Sequence, residues 1–293
     1  MTCNVSDNST FPPVEKYGGR LKEFAHVWVE YTSDPNILDI VKNCHIDFED
    51  LPTQEIVPHE IKFSAQEEQK IGDEIVKMLQ TGVIEACDHE PDEYISPIFG
   101  RKKKDGSLRI ILNLKELNKK VEYQHFKMDS RNMAAQLMTE NSYMASIDLK
   151  QAYYLVPMAK EHRKYLKFTW KGQLFQFSAL PNGLSCAPRL FTKLLKPIYA
   201  TLREEGISIL GYIDDTFLVA KSRQECQKAV NRVIQLLTDI GFVVHLGKSV
   251  LEPTNKIMFL GYIFDSTNMT ITLSDDKKTT RPTGLYGNLW QIF

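Results

Sequence analysis

Cysteine is scarce in this chain: five residues among 293, Cys3, Cys44, Cys87, Cys186 and Cys226, spaced about forty or more positions apart. They form no C-x-x-C pair and are odd in number, which excludes a disulfide framework and favours a reducing compartment. No apolar run approaches the roughly 18 residues that a membrane helix needs. The first ten residues, MTCNVSDNST, lack the basic flank and apolar stretch of a signal peptide. No membrane partner is expected, and the chain is expected to be intracellular, in cytoplasm or nucleus. Internal repeats and low-complexity tracts are also missing. What is present is ordinary for a globular protein: 43% apolar and 25% charged residues. At roughly 150 residues per domain, the length allows two units or one large domain with subdomains.

A net charge of −1 conceals strong segregation. Positions 1–60 carry −7, positions 61–100 carry −6, and positions 101–200 hold nineteen basic against seven acidic side chains. Beyond 200 the charges balance. The basic middle third fits either a solvated surface or a polyanionic partner.

Residues 1–14 form a polar leader ending in Pro12-Pro13. Residues 1–60 make an N-terminal extension, partly flexible through that leader but packed between Gly18 and Pro58, where the apolar spacing predicts two short helices, around Leu21–Trp28 and Ile37–Val41. Ser64 with Glu67 makes a capping box for a helix that Gly82 ends. Asp105-Gly106 marks a hairpin in the basic segment RKKKDGSLRIILNL, and Lys171-Gly172 marks a second hairpin. SYMASID at 142–148 is a strand ending in a carboxylate. A long helix opens near Ser185 and Pro188, with a kink expected at Pro197. SILGYI and TFLVA are apolar strands joined by Asp214-Asp215. A last helix covers about 224–240, and strands follow around FVVH, IMFLGYIF and MTITL. This order predicts an α+β fold, an antiparallel sheet with helices on one side.

Alone, Asp214-Asp215 reads as a hairpin turn, since Asp tolerates turn geometry. Asp148, ending another strand of the same sheet, changes that. Three carboxylates converging on one rim would raise each other's pKa unless divalent cations neutralised them. Oxygen-only ligation suits Mg²⁺, which shares its shell with water and substrate phosphates. Two ions would stabilise the attacking and leaving oxygens of a phosphoryl transfer.

KKKDGSLRIILNLKELNK, SIDLKQAYYLVPM, LPNGLSCAPRLFTKLLKP, GYIDDTFLV, HLGKS and FLGYIF, in this order, resemble the reverse transcriptases of retroelements. The likeness is strongest to the DIRS-type, tyrosine-recombinase retrotransposons, whose extension GGRLKEFAHVWVEYTSDPNILDIV resembles. The resemblance implies the palm and fingers of a right-hand polymerase over 61–278, preceded by the extension 1–60. It also implies two Mg²⁺ ions, with Mn²⁺ as the alternative, held by Asp148, Asp214, Asp215 and the backbone of Leu149. Lys103 and Arg109 match residues that grip the incoming triphosphate, and Tyr153 matches the ring that excludes a 2′-hydroxyl; for Tyr153 a core tyrosine is the alternative. Asn182 and Gly183 match a turn against the nucleotide, where many relatives carry Gln or Phe at the Asn182 position. Lys248 matches a proton donor to pyrophosphate, with a solvated loop lysine as the alternative. Leu260, Gly261 and Tyr262 match the hairpin holding the primer end. The implied partners are an RNA or DNA template with its primer and a deoxynucleoside triphosphate.

Two rivals bear on this reading. TTRPTGLYGNLWQIF, at 279–293, has no periodicity and does not resemble the family, so the thumb is expected to be absent and the chain could be a non-catalytic remnant that at most binds nucleic acid. A structural calcium site is the other, and the absence of EF-hand spacing argues against it. The seven histidines are scattered without zinc spacing, and Cys186 has no neighbouring base.

Overall fold

The computed structural model describes residues 15–102, 108–129, 131–274 and 290–291. The helices are α1 (Ala25–Trp28), α2 (Pro35–Asn43), α3 (Ala65–Gln80), α4 (Arg131–Leu137), α5 (Ala187–Glu204) and α6 (Arg223–Asp239). The strands begin with β1 (Ile84–Ala86), β2 (Ile98–Lys102), β3 (Leu108–Leu112), β4 (Tyr143–Asp148), β5 (Lys167–Trp170) and β6 (Gln173–Phe177). They continue with β7 (Ser208–Tyr212), β8 (Asp215–Ala220), β9 (Val250–Thr254), β10 (Lys256–Phe259), β11 (Tyr262–Asp265), β12 (Thr270–Leu273) and β13 (Trp290–Gln291).

The central sheet has the order β7-β8-β4-β9, all antiparallel. Its strands are apolar on both faces because both faces are covered. Ala145, Ile147, Ile209 and Leu218 turn toward α5 and α6 in the main core, while Met144, Leu210, Phe217 and Val219 join a second cluster. That second cluster contains Ala134 of α4 and residues of β10, β11 and β12 in the small sheet β10-β11-β12-β13. The two long helices therefore share one side, as expected, and α4 with a second sheet closes the other. Phe217 stacks on Phe259 across this boundary, with ring centroids 4.8 Å apart.

A second unit is built from the sheet β1-β6-β5, the hairpin β2-β3 and helix α3. The capping box at Ser64 and Glu67 is formed, and Gly82, at φ 72°, turns the chain out of α3. Lys171 and Gly172 at φ 50° and 77° make the β5-β6 turn, the left-handed pair that a two-residue hairpin requires.

From Tyr17 onward the N-terminal extension belongs to the main core rather than hanging from it. Trp28 is fully buried, and its indole N–H donates to the Ile240 carbonyl at 3.0 Å. Tyr17 and Gly18 bond to Thr81, and Gly19 bonds to Tyr154, so this segment laces α3 to the central unit.

Several expectations are corrected. The β7-β8 turn is Ile213-Asp214, since Tyr212 pairs with Asp215 and Asp215 already belongs to β8. FVVH is no strand: only Val244 bridges Leu149, because the chain turns away at His245 after bonding Asp148 and Lys150. Strand β9 was unexpected because it contains Pro253, which an edge strand tolerates. The long helix expected from Ser185 and Pro188 onward is α5, which includes Pro197 and ends at Glu204. Part of the aperiodic tail, Trp290–Gln291, pairs with β12.

Candidate active site

Backbone register brings two of the three carboxylates together: Asp148 ends β4 and pairs with Asp215 at the start of β8. Asp214 lies one residue earlier, and its carbonyl accepts the Leu149 N–H at 3.0 Å. The turn that presents Asp214 is strained. Ile213 stands at φ 56°, a left-handed conformation that a β-branched residue adopts only when its surroundings impose it.

Asp148 is pinned from the other side by the loop before β9. Its carbonyl accepts the His245 N–H at 2.8 Å, and its N–H donates to Ser249 Oγ at 3.0 Å. Lys248 is carried on the same loop. After Lys150, Gln151 at φ 55° reverses the chain into a 3-10 turn, Ala152–Leu155, which swings Tyr153 toward Asp214.

These segments wall a cleft of about 670 Å³ that gathers Arg109, Leu149, Tyr153, Asn182, Asp214 and Lys248. Arg109 reaches it because β3 alternates buried and exposed residues, with Arg109 on the exposed face. The Tyr153 ring lies edge-on to Phe191 at 5.5 Å. Asn182 is hydrogen-bonded to the buried Tyr154. Gly183, at φ 106°, sits beside the cleft; a side chain there would meet the Leu112 carbonyl at 2.7 Å, so glycine lets this turn press against β3. Leu260 and Gly261, at φ 48° and 77°, turn the β10-β11 hairpin in the second cluster, away from the cleft lining. Lys103 lies outside the described residues.

Lys77, Lys150 and His245 also line the cleft and were not singled out from sequence. Lys77 and Lys150 look like surface charges on a helix and a turn; only the fold reveals that they line the same cleft as Asp214.

Burial raises the pKa of all three aspartates, and repulsion adds to it for two of them: Asp214 acts on Asp148, and Asp214 and Asp148 together push Asp215 up to about 6. Lys248 opposes the shift at each one without pairing to any. Among the described residues no ion pair engages these carboxylates. An uncompensated cluster of oxygen donors suits a hard divalent cation. Among the described residues no three His, Cys, Asp or Glu side chains close a cage by themselves. Mg²⁺ does not need one, since it binds through one or two carboxylates together with water and substrate phosphates. The donor set fits.

A model of the family "Reverse transcriptase (RNA-dependent DNA polymerase)" matches residues 101–264. The Gag-Pol polyprotein of baboon endogenous virus is 27% identical over 231 residues, covering 74% of this chain and 13% of that protein. The Tf2-3 transposon polyprotein of Schizosaccharomyces pombe is 26% identical over 200 residues, covering 66% and 14%. The chain thus spans about an eighth of the length of these relatives. Among solved structures, the foamy viral protease-reverse transcriptase dRH in complex with double-stranded DNA superposes with TM-score 0.67 at 19% identity, over 97% of this chain and 51% of that one. Native prototype foamy virus protease-reverse transcriptase gives TM-score 0.62 at 22% identity, over 80% and 30%. With the family model spanning more than half of its residues, from the basic hairpin through the aspartate turn to the β10-β11 hairpin, the chain belongs to the reverse transcriptase family.

Proposed function

We propose that the cleft is the active site of an RNA-directed DNA polymerase that joins a primer 3′-hydroxyl to the α-phosphate of a deoxynucleoside triphosphate and releases pyrophosphate. The observation that carries this is the trio Asp148, Asp214 and Asp215: Asp148 pairs with Asp215, all three are raised in pKa, none has an ion-pair partner among the described residues, and Asp214 lines a cleft with Arg109, Lys77 and Lys248. Asp148 and Asp214, with the backbone of Leu149, would hold two Mg²⁺ or Mn²⁺ ions, and Asp215 completes the set. When bound, such ions neutralise the carboxylates and the charge developing on the attacking and leaving oxygens.

The remaining work belongs to side chains. Arg109 offers a planar fork to triphosphate oxygens, and Lys103 is the second residue this reading assigns to them. Tyr153 places a ring where a 2′-hydroxyl would project. Asn182 and Gly183 flank the base, and Lys248 is within reach to return a proton to pyrophosphate. Leu260, Gly261 and Tyr262 form the hairpin for the primer end. Base pairing to an RNA or DNA template supplies sequence selection, so the basic middle third need only follow phosphates.

The extension 1–60, the fingers and palm at 61–278 and the tail 279–293 are the partition that accompanies this reading. A DIRS-type origin is the finer assignment, supported by the way Gly19–Val41 resembles that branch's extension. The free cysteines Cys44, Cys87, Cys186 and Cys226 support an intracellular setting.

Purified protein given Mg²⁺, a primed RNA template and labelled deoxynucleotides is expected to extend the primer by at least one nucleotide, and Asp214→Asn is expected to abolish this. Absence of extension at low salt would overturn the catalytic reading and leave a nucleic-acid-binding fold.

A further inference from the structure

Among the described residues β7 is an edge strand, bonded to β8 on one side only. Two of its outward backbone groups are nevertheless occupied by side chains. Arg203, in the last turn of α5, donates through Nε and Nη2 to the Ile209 carbonyl at 3.1 and 3.0 Å. Two residues along, the Gly211 N–H donates to Asp129 Oδ2 at 3.2 Å. Arg203 Nη2 also lies 3.5 Å from Asp129 Oδ2, so the two charges brace each other while capping the strand. A bare edge would leave these groups to water; here they are held by charge-assisted bonds to two different elements.

The same rung of the sheet is held from below. Gly211 pairs with Thr216, whose hydroxyl is hydrogen-bonded to the buried Tyr199 at 2.8 Å. A Cβ at position 211 would fall 2.0 Å from the Tyr199 ring, so only glycine lets that ring underlie the rung. The next rung is Tyr212 with Asp215, and beyond it comes the left-handed turn at Ile213 that presents Asp214. A strained turn keeps its shape only when its base is over-determined.

The geometry points to Asp129, braced by Arg203, as a positioning residue: it fixes the Gly211 peptide from the open edge and thereby holds the Ile213 turn that places Asp214. Asp129 is absent from the cleft lining and forms no bond to the three carboxylates. Its action is indirect. The proposal rests on the reading of Asp214 as a metal-holding carboxylate.

The test is hydrogen exchange read by mass spectrometry on the full chain, alongside single-nucleotide incorporation kinetics, for wild type, Asp129→Ala and Asp129→Asn. In Asp129→Ala, amides across 209–214 are expected to exchange about tenfold faster while 143–148 keep the wild-type rate, because one charge-assisted bond is lost locally. The kcat for incorporation is expected to fall by about tenfold or more, with little change in KM for the nucleotide, as misplacement rather than lost binding requires. Asp129→Asn keeps a carbonyl acceptor for the Gly211 N–H and is expected to recover most of both losses. Unchanged exchange at 209–214, acceleration spread evenly over the sheet, or Asn performing no better than Ala would each overturn the proposal. If Asp129→Ala does not fold, Arg203→Gln, which removes the brace, is held to the same exchange criterion. Exchange does not depend on turnover, so a wild-type chain that incorporates nothing would sink the polymerase reading and still leave the role of Asp129 decided.

Discussion

The N–H of Asp148 donates to the Ser249 hydroxyl at 3.0 Å, and that hydroxyl donates onward to the His245 carbonyl at 3.0 Å. Strand β9 has left β4 at this point, so a side chain replaces the missing ladder bond. Ser249→Ala is expected to cost about 1 kcal/mol of stability. It is also expected to raise several-fold the Mg²⁺ concentration for half-maximal incorporation, because Asp148 loses one of its two backbone anchors. Ser249→Thr keeps the hydroxyl and should behave as wild type. Urea unfolding measures the stability loss, and a magnesium titration of initial rates checks the other two.

The Asp215 carboxyl, pushed up to about 6 by burial and by Asp214 and Asp148, makes the site a stability liability. The folded state binds this proton more tightly than the unfolded chain does, so stability falls as pH rises from the ordinary carboxylate range through about 6 and stays low above it. Asp215→Asn is therefore expected to be more stable than wild type at pH 7.5, by roughly 1–2 kcal/mol after allowance for solvent. That gain should vanish near pH 4. Urea unfolding at the two pH values measures it, and a gain that persists at pH 4 would contradict the electrostatic origin.

Tyr153 is held edge-on against Phe191 at 5.5 Å, so its ring cannot readily swing aside. Tyr153→Val is expected to admit ribonucleotides, lowering discrimination between deoxy- and ribonucleoside triphosphates by about tenfold or more. Tyr153→Phe preserves the ring and should preserve discrimination. Competition between the two nucleotide classes in primer extension provides the measurement.

His45 bonds to Asp39 through Nδ1 at 2.9 Å and to Glu161 through Nε2 at 3.0 Å, an arrangement that needs both ring nitrogens protonated. Burial opposes the charge, and the bonds to Glu161 and Asp39 outweigh it, so the pKa is raised. His162, edge-on at 5.0 Å, is itself pushed down by burial and by His45, against the opposing charges of Glu161 and Asp47. A raised histidine stabilises below its unfolded pKa and loses that contribution as pH climbs through the folded value. His45→Gln is expected to lower Tm at pH 6 and to converge on wild type at pH 9, as thermal melts at both pH values can show.

Much of this was legible in the sequence wherever local chemistry decides the outcome. The Ser64–Glu67 box, the Lys171-Gly172 turn and the apolar face of α5 each announce themselves within a few residues, and all formed as expected. The three aspartates were singled out because Asp148 ends a strand of the same sheet as the Asp214-Asp215 turn, and the pairing of Asp148 with Asp215 follows that expectation. What stayed hidden is what depends on distant partners. The turn register was off by one, since Tyr212 pairing with Asp215 is a property of two strands together. Strand β9 was masked by Pro253, and Ser249, Asp129 and Lys77 look like ordinary polar residues until the fold brings their neighbours to them.

Phe217 lies two residues after Asp215 and stacks on Phe259, which immediately precedes the Leu260-Gly261 turn. The span between the acidic rim and the proposed primer hairpin is thus gauged by two phenyl rings pressed together in a dry interior. A substrate arriving there meets a width already cut by folding, and widening it would mean prising apart aromatic carbon rather than bending a loop.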